Sequence, residues 1–333
     1  MEPSAVPQQA AISAPGVWVL TDPVIGHASQ SLGVAEALGW PFAVKAMAYG
    51  RFARVPCLLG PRWLCGLDAA SRASLAPPWP DIVIATGRRL GGVARWIKRR
   101  AAQDRHRTFL VQMMDPQYGR RDFDLIAAPR HDRLVPRENV VTTLGAPTRV
   151  TPERLAAEAD RWRDRLAALP RPRVALLVGG STGKRRFTPE MAAELGRRAS
   201  VLARGGSVMA TTSRRTDAAA ADALVAAIAA PSHIHRWAPD GENPYYALLG
   251  LADAVVVTGE SVSMASEAAA AGKPLFIYAP PALTKPAFAR FHGALYAEGM
   301  ARPLSDDAAL GDFAGAPLDA ARDIAGEIRR RWR

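Results

Sequence analysis

The sequence is short of cysteine, and it has no hydrophobic run long enough to cross a membrane. Only two of its 333 residues are cysteines, Cys57 and Cys65, which excludes a disulfide scaffold and a cysteine-rich zinc module. Every apolar run is interrupted by charge before the ~18–20 residues that a spanning helix needs. The six histidines show no metal-ligand spacing, so no metal site is predicted.

A secretory signal is also missing. The stretch from Met1 to Pro15 has no basic segment followed by an apolar core, and its Pro, Gln, Ala and Ser residues predict a disordered leader. We therefore expect a cytoplasmic protein. Its formal net charge is +12, which favours anionic partners such as nucleotides or anionic lipid head groups. Nucleic acid is disfavoured, because the cations are not interleaved with aromatic residues.

What the chain does contain is a regular alternation of short apolar runs and helical segments. Val17 to Leu20 is a compact apolar run that predicts a buried strand, and helical spacing of apolar residues follows it. Further strands are predicted at 43–47, 81–85, 109–113, 124–127, 140–144, 174–178, 207–211, 233–235, 254–257 and 274–277. Strands that alternate with helices are typical of parallel βαβ units.

The pattern restarts after residues 145–152, where glycine and two prolines lie close together and predict a domain boundary. The predicted fold class is α/β, with two Rossmann-like, doubly wound parallel-sheet domains that face a cleft. We assign 16–147 to the N-terminal domain and 151–316 to the C-terminal domain, with a last helix at about 317–333 that is free to pack back on the first. Ligands of such sheets bind beyond the carboxyl ends of the strands.

A glycine-rich turn at 179–184 follows the first strand of the second half. It is not a P-loop, because its outer glycines are one residue too close and an arginine follows its lysine. Its bare amides and hydroxyls, at Gly180, Ser181 and Thr182, are suited to a phosphate. An ordinary strand-to-helix turn is the alternative.

Two more polar turns follow strands in the second half. The turn at 211–216 contains Arg214 and Arg215, whose guanidinium groups are suited to a pyrophosphate, with a solvated loop as the alternative; of the two, Arg214 is the predicted contact. After the 254–257 strand, Ser261 or Ser263 can cap a helix that carries Glu267. A carboxylate at that position can accept hydrogen bonds from both ribose hydroxyls. The alternative for Glu267 is a favourable charge near a helix N-terminus.

The first half offers candidates for acid–base chemistry. His27 lies at the predicted start of a helix after the first strand, a position that favours the neutral imidazole of a general base. His131 and Asp132 follow the 124–127 strand and form a second acid–base candidate. A structural role is the alternative for each histidine. The absence of G-x-G-x-x-G after any predicted strand disfavours a dinucleotide dehydrogenase.

Several of these blocks occur in the order found in a known family. The chain resembles the bacterial branch of the mitochondrial-fission Elm-type family from about Val17 to the last helix. The matching stretches are 21–30, 86–89, 123–132, 177–181, 211–216 and 257–264, together with Glu267 and 272–274. The family is in turn similar to glycosyltransferases of the two-domain GT-B type, and its second half is similar to that of the peptidoglycan N-acetylglucosaminyltransferase.

The resemblance implies a site and a reaction. Gly180 and Ser181 would meet the phosphates of a sugar nucleotide, and Glu267 would hold the ribose. From the residues themselves we add Thr182, Arg214, Ser263 and Met264 to the predicted nucleotide-binding set. His27 would be the general base, with Asp132 or His131 as substitutes. The implied activity is a metal-independent glycosyl transfer that needs no cofactor. The expected substrates are a nucleoside-diphosphate sugar, with UDP as the expected nucleotide, and a cell-envelope or lipid-linked acceptor.

Alternatives to the transferase remain open from the sequence. One is a hydrolase or epimerase that acts on the same nucleotide sugar, which would need a well-placed acid pair. The plant members are linked to recruiting a dynamin-type protein to mitochondria, so a non-catalytic adaptor that keeps the fold is the rival function. The arginine-rich end, 329–333, predicts a peripheral contact with an anionic membrane surface, because each cation near such a surface contributes ~1 kcal/mol. A solvated terminal helix explains the same residues.

Overall fold

A computed structural model describes residues 14–50, 64, 66–311 and 313–332 of the chain. Of the predicted leader, Met1 to Pro15, only the last two residues fall within this part. Both cysteines lie outside it.

The described residues form two parallel sheets of six strands each, which confirms the predicted fold class. The first sheet has the spatial order β2-β1-β3-β4-β5-β6, and its strands are β1 (Val17–Thr21), β2 (Phe42–Ala46), β3 (Ile82–Thr86), β4 (Phe109–Met113), β5 (Leu125–Pro129) and β6 (Val140–Thr143). The second has the order β12-β11-β10-β7-β8-β9, and its strands are β7 (Arg173–Leu177), β8 (Ser207–Thr211), β9 (Ser232–His235), β10 (Ala254–Thr258), β11 (Leu275–Tyr278) and β12 (Arg302–Pro303).

Helices cover both faces of each sheet, which is why the central strands are buried along their whole length. Those of the first half are α1 (Ile25–Leu38), α2 (Ala69–Ala73) and α3 (Gly87–Gln103). The remainder are α4 (Pro152–Trp162), α5 (Pro189–Ala203), α6 (Ala218–Ala227), α7 (Tyr245–Leu251), α8 (Val262–Ala270), α9 (Pro286–Ala297) and α10 (Ala320–Arg331). Side-chain caps at Thr151 and Thr188, each followed by proline, start α4 and α5.

The last helix returns to the first domain. Ile324, Ala325 and Ile328 of α10 are buried in the same core as β1 and β3, and α10 lies along α1. The first domain is therefore completed by the C-terminal end of the chain.

Each sheet has one point at which the direction of strand addition reverses. In the first sheet this point lies between β1 and β3, and in the second it lies between β7 and β10. Open parallel sheets bind ligands beyond the carboxyl ends of the strands at such a point. Here these ends carry the β1–α1 turn with His27, the start of α3, the 179–184 turn and the start of α8.

Candidate functional site

His27 is held by a carboxylate from its own turn. Its Nδ1 lies 3.2 Å from Asp22 Oδ2, and the side chain of Asp22 is only 4% exposed while that of His27 is 26% exposed. A carboxylate can only accept, so Nδ1 carries the proton and Nε2 is left with a free lone pair. The other oxygen of Asp22 accepts from the Val24 amide at 3.0 Å, which fixes the carboxylate in place.

The imidazole of His27 lies against the backbone of Gly87 at the start of α3. Gly87 has φ +82°, and a Cβ built on it would lie 2.8 Å from Cε1 of the ring. The Gly87 carbonyl accepts a hydrogen bond from the buried side chain of Gln112 at 3.1 Å. The ring therefore rests on a surface that only glycine can provide.

Glu267 lies in the contact between the two domains. Its Oε2 accepts from the Tyr245 hydroxyl at 2.7 Å, and its Oε1 lies 3.5 Å from the hydroxyl of Ser29 on α1. The residue is 9% exposed, and this burial raises its pKa to about 7 although both hydrogen bonds act to lower it. Ser29 is two residues beyond His27 on α1, so the carboxylate contacts the same first turns of α1 that carry the imidazole, although two residues so spaced do not share a helix face.

The N-terminal ends of α1 and α8 meet at the gap between the two domains. A Cβ built on Gly26 would lie 3.1 Å from the hydroxyl of Ser263, one residue into α8. Ser261 is the residue whose side chain caps α8, through the Met264 amide. Met264 itself is partly buried against the core of the second domain.

The amides of the 179–184 turn already have partners within the protein. Gly180 donates to Glu260 Oε1 at 2.8 Å, Ser181 donates to the Arg215 carbonyl at 3.1 Å, and Thr182 donates to the Arg185 carbonyl at 2.9 Å. The Ser181 hydroxyl accepts from the Phe187 amide. Phosphate binding by these residues stays a prediction, and it requires the turn to exchange some of these partners.

Arg215, rather than the predicted Arg214, reaches the glycine-rich turn. Its Nη2 lies 3.3 Å from Oε1 of Glu260, whose side chain is fully buried between the ends of β7 and β10. Arg214 is exposed. The loop that carries both arginines is fastened to the turn, because the hydroxyls of Ser213 and Thr216 donate to the Gly179 carbonyl.

His131 lies in a second contact between the domains, away from open solvent. Its ring packs on Phe291 of α9 with centroids 5.2 Å apart, and the Arg290 side chain donates to its carbonyl. Burial lowers the pKa of His131, and its Nδ1 has no partner among the described residues. The exposed Asp132 lies 3.7 Å from its Nε2. The catalytic use of either residue stays a prediction.

Sequence reasoning missed the groups that hold the candidate residues. These are Asp22 beside His27, Tyr245 and Ser29 on Glu267, and the Glu260–Arg215 pair under the glycine-rich turn. Asp22 and Glu260 carried a signal, since each acid follows a buried strand. Nothing in the sequence near Tyr245 points to Glu267, because that contact depends on how α7 packs beside α8.

The C-terminal arginines that were expected to meet a membrane make contacts within the protein. Arg329 donates to the carbonyls of Ala37 and Leu38 at the end of α1, while Arg330 and Arg331 pair with Glu327. Arg333 lies outside the described residues. Helices in the described part of the chain are too short or too polar to span a bilayer. The same part holds no group of three or more His, Cys, Asp or Glu arranged for a metal ion.

Comparison with known proteins gives a family and a fold. The family model described as mitochondrial fission ELM1 matches residues 25–332. The mitochondrial fission protein ELM1 of Arabidopsis thaliana is 29% identical over 289 residues, which is 80% of this chain and 67% of that protein.

Two solved structures share the two-domain architecture. The glycosyltransferase SnogD from Streptomyces nogalater superposes with a TM-score of 0.52 at 15% identity, over 96% of this chain and 95% of that one. UDP-GlcNAc 2-epimerase from Methanocaldococcus jannaschii also superposes with a TM-score of 0.52, at 10% identity over 95% of this chain and 99% of that one. At such identities the likeness concerns the fold alone, which is GT-B-like.

Proposed function

The chain belongs to the mitochondrial fission ELM1 family, and on that premise we propose that it is a metal-independent glycosyltransferase. It would bind a nucleoside-diphosphate sugar between its domains, with UDP as the expected nucleotide. The observation that carries the proposal is that α1, which carries His27, and α8, which carries Glu267, meet through Ser29–Glu267 and Gly26–Ser263 at the carboxyl edges of two parallel sheets.

The nucleotide would be held by the second domain. The carboxylate of Glu267 is suited to the two ribose hydroxyls, which would replace the hydroxyls of Tyr245 and Ser29 as its donors. Arg215 and the N-terminal end of α8 would face the diphosphate, together with the amides of the 179–182 turn. A guanidinium group and a helix N-terminus both stabilise the charge that develops on a leaving diphosphate.

The first domain would supply the base. The acceptor hydroxyl loses its proton to Nε2 of His27 while its oxygen bonds to the anomeric carbon of the sugar. The bond from that carbon to the diphosphate oxygen breaks, and the diphosphate leaves with the electron pair. Asp22 is a positioning residue in this scheme, because it orients the ring and stabilises the imidazolium that forms.

The acceptor side of the gap carries exposed apolar side chains. Val24 and Ile25 follow β1, Tyr118 follows β4 and Val135 follows β5, with exposures of 47, 72, 59 and 66%. Parallel strands end at one edge, so these side chains share the edge of the sheet at which His27 lies. Exposed Arg88 donates to Gln117 in the same region. Exposed apolar side chains next to an arginine support a lipid-linked acceptor and a peripheral contact with an anionic membrane.

One observation favours the adaptor as a second candidate. Glu267 and the amides of Gly180 to Thr182 are hydrogen-bonded to groups of the protein itself. A protein that keeps this gap closed would offer only its outer surface to a partner.

A thermal-shift screen against UDP-, GDP- and ADP-sugars separates the two functions. The transferase predicts a higher Tm with one class of nucleotide sugar and a loss of that shift in Glu267→Ala. Glu194→Ala is the matched control, because Glu194 accepts a hydrogen bond from Tyr278 on the outer side of the same domain. Absence of a shift with every nucleotide sugar would favour the adaptor.

A further inference from the structure

A carboxylate occupies part of the place that we propose for the diphosphate. Glu260 Oε1 accepts from the Gly180 amide at 2.8 Å and from Arg215 Nη2 at 3.3 Å. An amide of a glycine-rich turn and a guanidinium group are donors that bind phosphate oxygens well. Both donors therefore bind an anion that belongs to the protein itself, the carboxylate of Glu260.

The second oxygen of Glu260 is unused. Oε2 is buried and has no hydrogen bond of normal geometry in the described part of the chain, although the Thr258 hydroxyl and the Glu260 amide lie close enough to the carboxyl group to act against the rise in its pKa. The side chain is so closely fitted that a Cβ built on Gly179 would overlap with Oε1. A buried carboxyl oxygen without a donor is costly when the group is ionised. When the group is protonated, the same oxygen becomes a donor that lacks an acceptor.

The charges around Glu260 decide what can bind beside it. Arg215, on the β8–α6 loop, is the described cation in ion-pair contact with it. From α9, the imidazole of His292 packs on the neighbouring Gly259, and burial lowers its pKa to about 4, so it is neutral near pH 7. The 179–182 turn brings no side-chain charge. If Arg215 turns to a diphosphate, an ionised Glu260 is left unpaired beside two negative phosphates.

We propose that Glu260 couples nucleotide binding to the uptake of one proton. Arg215 leaves Glu260 and binds the diphosphate, and a proton from solvent neutralises Glu260. The Oε2–H group then donates a hydrogen bond to a phosphate oxygen, while Oε1 still accepts from the Gly180 amide. Burial also raises the pKa of Glu260, so less free energy is needed to protonate it than to protonate an exposed glutamate. The ligand reaches Oε2 through a shift of the turn, whose glycines at 180 and 183 already have positive φ. This inference rests on the proposed function.

Isothermal titration calorimetry of the full chain with UDP, GDP and ADP tests it. Each titration is repeated in HEPES and Tris, whose different ionisation enthalpies reveal protons taken up on binding. The wild type should take up close to one proton per nucleotide at alkaline pH, and its Kd should rise about tenfold per pH unit there. Glu260→Gln keeps an acceptor for Gly180 and a donor for phosphate, so its Kd should stay nearly constant with pH.

A second carboxyl group needs its own control. Glu267 titrates near pH 7, so proton uptake is compared between the wild type and Glu260→Gln. Glu267 contributes equally to both proteins, so the difference in proton uptake between them isolates the proton linked to Glu260. Nucleotide binding by the wild type with no proton uptake would overturn the proposal, whether or not Glu260→Gln folds. Failure of every variant to bind any diphosphate would instead refute the proposed function.

Discussion

The imidazole of His27 rests on a glycine with left-handed backbone geometry, which makes Gly87 a sensitive position. Gly87→Ala adds strain at φ +82° and a methyl group 2.8 Å from the ring. We expect a loss of about 1 kcal/mol in the free energy of unfolding and a marked loss of turnover. Gly39→Ala is the control, because Gly39 has φ +68° with open space around it. Equal turnover in the two variants would contradict this role of Gly87.

Asp22 and His27 act as a unit in the proposed reaction. Asp22→Asn and His27→Ala should each lower kcat, by on the order of 10²- to 10⁴-fold, while KM for the nucleotide sugar changes little. The assay is steady-state release of nucleotide with saturating acceptor. His106→Ala is the control, since His106 forms a similar pair with Asp81 at the opposite end of the sheet. Full turnover in His27→Ala would remove His27 as the base.

Burial of Glu267 makes the stability of the protein depend on pH. Its folded pKa of about 7 exceeds the usual 4.5, so the folded state holds the proton more tightly. The free energy of unfolding therefore falls as pH rises from about 4.5 through 7, by roughly 3 kcal/mol. Glu267→Gln should be more stable than the wild type at pH 8, with a difference that shrinks towards pH 5.

Urea denaturation at pH 5 and pH 8 measures this effect. The exposed residue Glu138 supplies the control variant, Glu138→Gln, which should keep the pH dependence of the wild type. A Glu267→Gln variant that loses stability between pH 5 and pH 8 as much as the wild type does would show that Glu267 is not the group responsible.

Residue by residue, the sequence predicted single polar groups better than their partners. His27 lies in the first turn of α1 and Glu267 lies in the second turn of α8, where spacing from the preceding strand gives their position. The contacts of Tyr245 with Glu267 and of Arg215 with Glu260 were missed because they join residues that lie 22 and 45 positions apart in the chain. Such contacts depend on the packing angles of helices and loops, which no local pattern contains.

At the scale of elements, α10 is the part of the chain that ties the two ends together. Ile328 is fully buried against the first sheet, so Ile328→Ala should lower the free energy of unfolding by about 2–4 kcal/mol. Ile25→Ala, at a position 72% exposed, should change it by less than about 0.5 kcal/mol. Urea denaturation of both variants tests this. A similar small effect for both would mean that α10 contributes little to the first domain.

Elements with a clear apolar pattern were predictable from the sequence. The bounds of β4 and β8 agree with prediction, four other predicted strands are displaced by one residue, and the remaining five differ by one or two residues at one or both ends. β12 was missed because it has two residues and pairs only with β11. α7 was missed because its sequence, YYALLGL, is apolar almost throughout and has no helical period.

For the molecule as a whole, the two domains meet through polar contacts around the gap. Ser29 contacts Glu267, the Ala146 amide donates to the Ser266 hydroxyl, and Arg290 donates to the His131 carbonyl. Contacts of this kind favour relative motion of domains. We expect nucleotide entry to require the domains to separate, because Glu267 is covered by the contact between them.

The apolar edge of the first domain predicts how the protein meets lipid. In a flotation assay with lipid vesicles, binding of the protein should require an anionic lipid and weaken in high salt, because arginine lies beside the exposed apolar side chains at this edge. Replacing Ile25 and Val135 by serine should reduce the bound fraction. Val201→Ser is the control, at an exposed position on α5 of the other domain. Equal binding to neutral vesicles would argue against an electrostatic contact with the membrane.

A crystal structure of the protein with a bound nucleotide sugar tests the central claim most directly. The account predicts the diphosphate beside Arg215 and the 179–182 turn, with the ribose hydroxyls on Glu267 in place of Tyr245 and Ser29. A saturated crystal in which Glu267 still bonds to Tyr245 and Ser29, with the nucleotide absent from the gap, would contradict it.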